Sequence, residues 1–344
     1  MRIERAEHLG AEHRGGLGAS SHTLMCQVPC KLNLFLEVLG KRSDGYHDLD
    51  TVMLAVDLCD TLTVRPRSDT HISLRIECSS HRLSENDPAW DVPADEGNLV
   101  VRALRRLQSE LGAQCGLDVE LIKRIPAQAG LGGGSADAAA ALVLGGLLWT
   151  GRLNHACIAR IAAELGSDLN FFLEGWSAGG WAARCTGRGE NVMPLTNPRD
   201  QHFVIIHPPQ GCNTAEIFRK LTDQSLQPPQ SAGSLPRNSD EMLQALALGQ
   251  NERLGALLYN RLDLVAQQCN PWIDRTAKWF DRYKPLGQCL SGSGSARFCL
   301  CSDRQEAEKI GRELALLNES RVFVASTWRT PSIQEQTKQL GFSE

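Results

Sequence analysis

Residues Ile125–Trp149, IPAQAGLGGGSADAAAALVLGGLLW, hold four glycines within five positions and run directly into an alanine-rich apolar segment. Glycine loses more conformational freedom on folding than any other residue, so such a cluster is costly unless something must approach the backbone closely. The segment after it reads as a helix from about Ser135. The first amides of a helix have no intrahelical acceptor and sit at the positive end of its dipole. Glycines just before them let phosphate oxygens come in without meeting a Cβ. Ser135 can cap the helix or bond a phosphate oxygen. Asp137 suits a bound Mg²⁺ better than a bare phosphate. Two familiar phosphate loops are excluded. No lysine follows the glycines, as a P-loop requires, and Ser135 stands where the third glycine of GxGxxG would fall after Gly130 and Gly132. On these residues alone, a flexible loop ahead of a packed helix is the alternative.

The 344-residue chain is 42% hydrophobic and 22% charged, with a net charge of -4. This is the composition of a soluble globular protein, and the charge argues against a general binder of nucleic acid or membrane surface. The apolar runs are too short to span a bilayer. Twelve cysteines are scattered from Cys26 to Cys301 with no CxxC pair and no zinc-type spacing. Reduced thiols in a cytoplasmic protein, and no side-chain metal site, are therefore expected. The first residues, MRIERAEHLGAEHRGGLGASSHT, lack a hydrophobic signal core and carry Glu4, Glu7 and Glu12. A disordered extension is expected over residues 1–24.

Along the chain, strands and helices mix without strict alternation, which predicts an α+β fold rather than a doubly wound parallel sheet. Residues 24–40, 51–66, 70–78 and 116–126, the last closed by Pro126, read as strands and NLVVRALRRLQSELG as an amphipathic helix stopped by Gly112. GGWAARCTGRGENVMPL reads as a hairpin with TGRGE, and hence Arg188, at its turn. ERLGALLYNRLDLVAQQ reads as helical throughout. In CLC, alternation places Cys299 and Cys301 on one strand face as small core residues. LTDQSLQPPQSAGSLPRNSD reads as an exposed excursion. A boundary near 198–201 divides the chain into units of 25–198 and 199–335.

PAQAGLGGGSADAAAA resembles the central motif of the GHMP small-molecule kinases, which phosphorylate alcohols with ATP. PCKLNLFLEVLGKRSDGYHDLDTVM, LGSDLNFFLEG and LSGSGSARF resemble other motifs of the same family, so the likeness runs from about Pro29 to about Phe298. It implies a two-domain fold with the active site in the interdomain cleft and ATP with Mg²⁺ as cofactors. The KLNLFL and DGYH segments point within the family to an acceptor alcohol carried on a cytidyl diphosphate, in the non-mevalonate route to isoprenoid precursors. A mevalonate- or homoserine-type kinase, and a non-catalytic nucleotide-binding relative, are the alternatives.

The resemblance carries site residues with it. Lys31 and Asp168 are the catalytic pair. The physics agrees: a carboxylate can accept the hydroxyl proton, and a lysine beside it keeps it ionised and neutralises the transferring group. The nucleotide falls to Asn98, Lys123 and the loop Pro126, Ala127, Gln128, Ala129, Gly130, Leu131, Gly132, Gly133, Gly134, Ser135 and Ala136. The family usually has serine at the place of Ala136 and proline at that of Asn170. The substrate falls to Asn33, Tyr46, His47, Thr214, Phe218, Gly292, Ser293 and Gly294. Asn33, two residues from Lys31, shares its strand face; Tyr46 and Phe218 would be the two plates stacking on the pyrimidine, with His47 bonding its polar edge.

Overall fold

The apolar run after Leu24 forms a long strand because its alternate side chains find cover on both faces. A computed structural model describes residues 1–6, 22–78, 83, 87–177, 179, 181–195, 198–223 and 239–342. In chain order its first half contains β1 (Arg2–Arg5), β2 (Leu24–Lys41), β3 (His47–Pro66), β4 (Ile72–Cys78), α1 (Leu99–Leu111), β5 (Leu117–Lys123), α2 (Gly133–Thr150), α3 (His155–Leu165), α4 (Leu169–Ser177), β6 (Ala182–Gly187) and β7 (Asn191–Leu195). The second half contains β8 (His202–His207), α5 (Thr214–Asp223), α6 (Ser239–Leu248), α7 (Asn251–Leu257), β9 (Tyr259–Asn260), α8 (Asp263–Cys269), α9 (Pro271–Asp281), β10 (Gly287–Leu290), β11 (Arg297–Cys301), α10 (Arg304–Ala315), β12 (Arg321–Ser326) and α11 (Ile333–Gln339).

Among the described residues the strands form two sheets. The larger runs β1-β2-β3-β5-β4, with β6 and β7 added beside β3 and β9 beside β2; the smaller runs β10-β11-β8-β12. Only β4 with β5 and β9 with β2 pair in parallel, so the fold is the mixed α+β arrangement that the sequence predicts. Helices α1 to α4 cover one face of the large sheet around a core that includes Leu104, Leu107, Leu142, Phe171 and Trp176. Helix α2 is buried on nearly every side, which is what an all-apolar, alanine-rich helix requires. The other face of β2 and β3 packs on the small sheet through Leu32, Leu34, Val52 and Leu54 against Phe203, Ile205 and Phe298. Each such side chain contributes about 1.5–3 kcal/mol on burial, so the two halves are joined by a hydrophobic seam.

Two expectations are corrected. Residues Arg2–Arg5 are not a disordered extension: they pair antiparallel with Leu24–Gln27, Met1 is fully buried, and Gln336 bonds both the Ile3 amide and the Met1 carbonyl. Met1 and Ile3, two residues apart, bury their side chains together, an outcome decided by a tertiary partner and not by local composition. Residues 7–21 of the same expectation lie outside the described residues, as do 224–238 of the Gln/Pro-rich excursion. The ERLGALLYNRLDLVAQQ stretch is not one helix. It breaks at Tyr259–Asn260, which join β2 at Phe35 and Leu36. After β12, α11 returns to the first half with a Ser332–Glu335 capping box and Ile333 in its core.

Candidate active site

The loop between β5 and α2 is held from two sides. Gly130 has φ +75°, and a Cβ there would lie 2.0 Å from the Ser291 carbonyl oxygen, so the position accepts only glycine. The Ser291 hydroxyl donates to the Gly130 carbonyl at 3.0 Å, the Ala296 amide to Ala129 at 3.0 Å and the Lys31 amide to Leu131 at 2.9 Å. The helix begins at Gly133, earlier than the sequence suggests, and Gly132 occupies the N-cap without a side-chain bond. Ser135 is therefore not the cap. Ala136 already donates to the Gly132 carbonyl, so the amides of Gly133, Gly134 and Ser135 are the ones without an intrahelical acceptor. A Cβ on Gly134 would meet nothing within 4 Å. These groups open on a cavity of about 330 Å³ lined by residues 126–135 together with Pro93, Asn98 and Lys123. Ala136 is fully buried in the core below and does not line it.

Asn98 caps α1: its side chain accepts from the Val100 amide at 2.9 Å and donates to the Pro93 carbonyl at 2.6 Å, so it shapes the cavity wall. Lys123 lines the same cavity. Its ammonium is buried in ion pairs with Asp60 and, at 2.7 Å, Asp137. Asp60 also accepts from the Arg124 and Ile125 amides, tying the end of β5 to β3 just before the loop. Burial pulls the Lys123 ammonium down, but the carboxylates of Asp137 and Asp60 overcome this and hold it above its ordinary value. Two carboxylates share this one ammonium, and burial first, then the nearby Asp60, push Asp137 up to about 7 against the pull of Lys123. Nothing local in the sequence marks Asp60, which is one polar residue among several in β3.

A second cavity, of about 680 Å³, lies on the other side of the loop. Gly130 and Gly132 line both. Lys31, Asn33, Tyr46, His47, Asp168, Thr214, Phe218, Gly292 and Ser293 are brought together around it, while Gly294 sits behind, against Leu290 and Cys212. At its inner end the Lys31 ammonium is 3.7 Å from Asp168 Oδ2 and donates to Asn33 Oδ1 at 2.5 Å. Asn33 in turn donates to the Thr51 hydroxyl at 2.9 Å. Lys31 is 3% exposed, whereas the Asp168 carboxylate reaches into the cavity. Asn170, after it, donates to the Glu190 carbonyl at 3.3 Å and so binds the 187–191 hairpin to the Asp168 turn.

At the outer end the rings are arranged differently from the expected pair of plates. Phe218 packs on His47, with ring centroids 4.9 Å apart and planes tilted by 31°. Tyr46 is exposed, and its ring is faced by the Arg188 guanidinium at 4.8 Å. The Thr222 hydroxyl gives its proton to the Phe218 carbonyl at 3.0 Å, so it accepts from His47 Nε2 at 2.9 Å and leaves Nδ1 as the acceptor of a neutral ring. Burial, and then Lys41, hold His47 below its ordinary pKa. The Thr214 and Ser293 hydroxyls bond at 2.6 Å. Asn260 donates to the Leu290 and Gly292 carbonyls at 2.8 and 2.7 Å and fixes that turn. It carries no motif of its own; its place on β9 is what brings it there.

The chain matches the family models for the GHMP kinases N terminal domain over residues 98–175 and GHMP kinases C terminal over 242–318. It is 38% identical to a 4-diphosphocytidyl-2-C-methyl-D-erythritol kinase of Rhodopirellula baltica over 302 residues, covering 81% of this chain and 87% of the relative. To the enzyme of the same name from Pelotomaculum thermopropionicum it is 35% identical, covering 87% and 96%. A crystal structure of 4-(cytidine 5'-diphospho)-2C-methyl-D-erythritol kinase superposes with a TM-score of 0.69 at 28% identity, covering 88% of this chain and 98% of that one. A homoserine kinase from Cytophaga hutchinsonii shares the fold, with a TM-score of 0.65 at 18% identity. Relatives this similar, over most of both chains, show that the chain belongs to the GHMP kinase family, in its 4-diphosphocytidyl-2-C-methyl-D-erythritol kinase branch.

Proposed function

We propose that the protein transfers the γ-phosphoryl group of ATP to the 2-hydroxyl of 4-diphosphocytidyl-2-C-methyl-D-erythritol, a step toward isoprenoid precursors. The observation that carries this reading is the Lys31–Asp168 pair in the larger cavity, which shares the glycine loop, through Gly130 and Gly132, with the smaller one. The nucleotide's phosphates would lie on the amides of residues 133–135, and the alcohol in the larger cavity. Asp168 would accept the hydroxyl proton as the bond to phosphorus forms. Lys31, fixed by Asn33, would hold that carboxylate ionised and offset charge on the transferring group. Transfer would pass directly from ATP to the hydroxyl. A pyrimidine beside Tyr46 would place its amino group near His47 Nδ1.

Among the described residues no cluster of three or more His, Cys, Asp or Glu could hold a metal. Mg²⁺ is usually held by one or two protein oxygens plus substrate phosphates. Asp137 Oδ1 is buried without a hydrogen-bond partner at the cradle, and it and the Ser135 hydroxyl would hold the ion. When bound, Mg²⁺ would neutralise charge on the β- and γ-phosphates. Buried thiols such as Cys26, Cys30 and Cys185 support a cytoplasmic setting. Among the described residues no helix is long and apolar enough to cross a membrane.

The test is ADP release by purified protein with Mg-ATP across a panel of alcohols. ADP should form with the cytidyl diphosphate alcohol and not with mevalonate or homoserine. Turnover of mevalonate in its place would move the assignment within the family; none with any alcohol would favour a silent relative.

A further inference from the structure

Arg188 sits at the tip of the β6–β7 hairpin, where the sequence suggests only a turn. Gly187, at φ +73°, sets that turn: a Cβ there would come within 2.7 Å of the Glu190 carboxylate. The Glu190 carboxylate accepts from the Arg188 amide at 2.5 Å. The Arg188 side chain is thereby carried into the large cavity, with about a quarter of its surface exposed. Its guanidinium faces the Tyr46 ring at 4.8 Å. Its polar contacts are long: 3.5 Å to the Ala163 carbonyl and 3.8 Å to Glu190. Five donors on a planar fork are therefore held in place without being saturated.

Charge on the cavity wall is unbalanced. Its cations are Lys31, Lys41, Arg188 and Arg219, and its carboxylates are Asp168 and Asp223. Lys31 pairs with Asp168, and Arg219 with Asp223 at 3.2 Å. Neither cavity carboxylate pairs with Arg188 or Lys41 among the described residues. Position adds to charge. Arg188 touches Tyr46 on one side, and Gly189, the next residue, lies against the catalytic turn, its Cβ position 3.9 Å from Asp168 Oδ1. Arg188 thus meets the ring that would hold the base through its guanidinium, and adjoins the turn that carries Asp168 through the next residue, Gly189.

We infer that Arg188 is a substrate-specificity residue that binds the diphosphate joining the base to the alcohol. The inference rests on the proposed function. A planar fork pairs with phosphate oxygens through two parallel bonds, and stacking on Tyr46 keeps it aligned. The site thereby selects alcohols carried on a nucleoside diphosphate over free alcohols and over nucleosides without phosphate.

The test is calorimetric titration of the whole protein with CDP and with cytidine. A non-hydrolysable ATP analogue is kept saturating, so that CDP cannot enter the nucleotide cradle. Arg188→Gln should weaken CDP roughly tenfold to a hundredfold, the scale of a charge-assisted bond or two, and leave cytidine within about twofold. Arg188→Lys, retaining the charge, should recover part of the loss. Equal loss of CDP and cytidine would overturn the inference and make Arg188 a clamp for Tyr46; an unchanged CDP affinity would overturn it outright. Wild-type protein binding neither ligand would instead overturn the reading of the substrate, which separates the two failures.

Discussion

The Lys31 ammonium and the Asp168 carboxylate lie 3.7 Å apart across the inner end of the larger cavity, the lysine buried and the aspartate reaching inward. Lys31 comes from the middle of β2 and Asp168 from the turn before α4. The glycine loop holds the lysine's backbone, the Lys31 amide donating to the Leu131 carbonyl.

Asp168→Asn keeps the shape of this pair and removes the proton acceptor. It should lower kcat by about 10²–10⁴-fold, the usual scale of general-base catalysis, and leave the ATP dissociation constant unchanged. Single-turnover rates with a parallel nucleotide titration would check it. A near-normal rate would show that the carboxylate orients the hydroxyl without taking its proton.

Two glycines of the loop should answer differently to the same methyl group. Gly130→Ala drives a Cβ into the Ser291 carbonyl and strains a positive φ, so it should lower the melting temperature sharply. Gly134→Ala meets nothing in the protein and should leave melting within a degree or two, about what a helical Gly-to-Ala change produces. Its methyl would instead stand in the path of the phosphates and raise KM for ATP. Equal KM values for wild-type and Gly134→Ala would place the triphosphate elsewhere.

What could be seen in the sequence was what is decided locally. The glycine run ahead of an alanine-rich helix, the stripe of Val100, Ala103, Leu104 and Leu107, and the glycines of the TGRGE turn each take their conformation from near neighbours. The opposition of Lys31 and Asp168 follows from family resemblance, not from spacing. What could not be seen depends on partners far along the chain. Tyr259–Asn260 look helical because the partner that extends them, Phe35–Leu36, is over 220 residues away. Met1–Arg5 look unstructured because their cover comes from β2 and Gln336. Lys123 looks like a surface charge until Asp60 and Asp137 are brought to it, and Arg188 looks like a turn residue until Tyr46 is.

The Lys123 network should be a strut for the loop. Lys123→Met leaves two carboxylates buried without their cation and should cost about 3–5 kcal/mol, the usual effect of breaking a buried pair. Asp137 adds a pH signature. Its pKa is raised in the folded protein to about 7, above the unfolded value near 3.9. Its contribution is therefore present at low pH and fades as pH rises through about 4 to 7. Asp137→Asn, which does not titrate, should gain stability relative to wild type between pH 5 and pH 8 in urea unfolding. A constant difference over that range would rule out the raised pKa.

His207 gives the opposite slope. It is buried in β8, and the Arg321 guanidinium donates to its Nδ1 at 2.9 Å while itself pairing with buried Asp87. Since Arg321 can only donate, the ring is neutral with its proton on Nε2; a second proton would set two cations face to face. Burial holds His207 down to about 3, against about 6.5 for an unfolded histidine. Between these values the unfolded chain takes up a proton that the folded one refuses. Stability is therefore intact above pH 6.5 and lost as pH falls, by up to about 1.4 kcal/mol per unit. His207→Gln keeps an acceptor for Arg321 and does not titrate. It should be less stable than wild type at pH 7, because amide packing differs, and the gap should close or reverse by pH 4. Urea midpoints at pH 7, 5.5 and 4 that fall in parallel for the two proteins would show that the acid sensitivity comes from other groups.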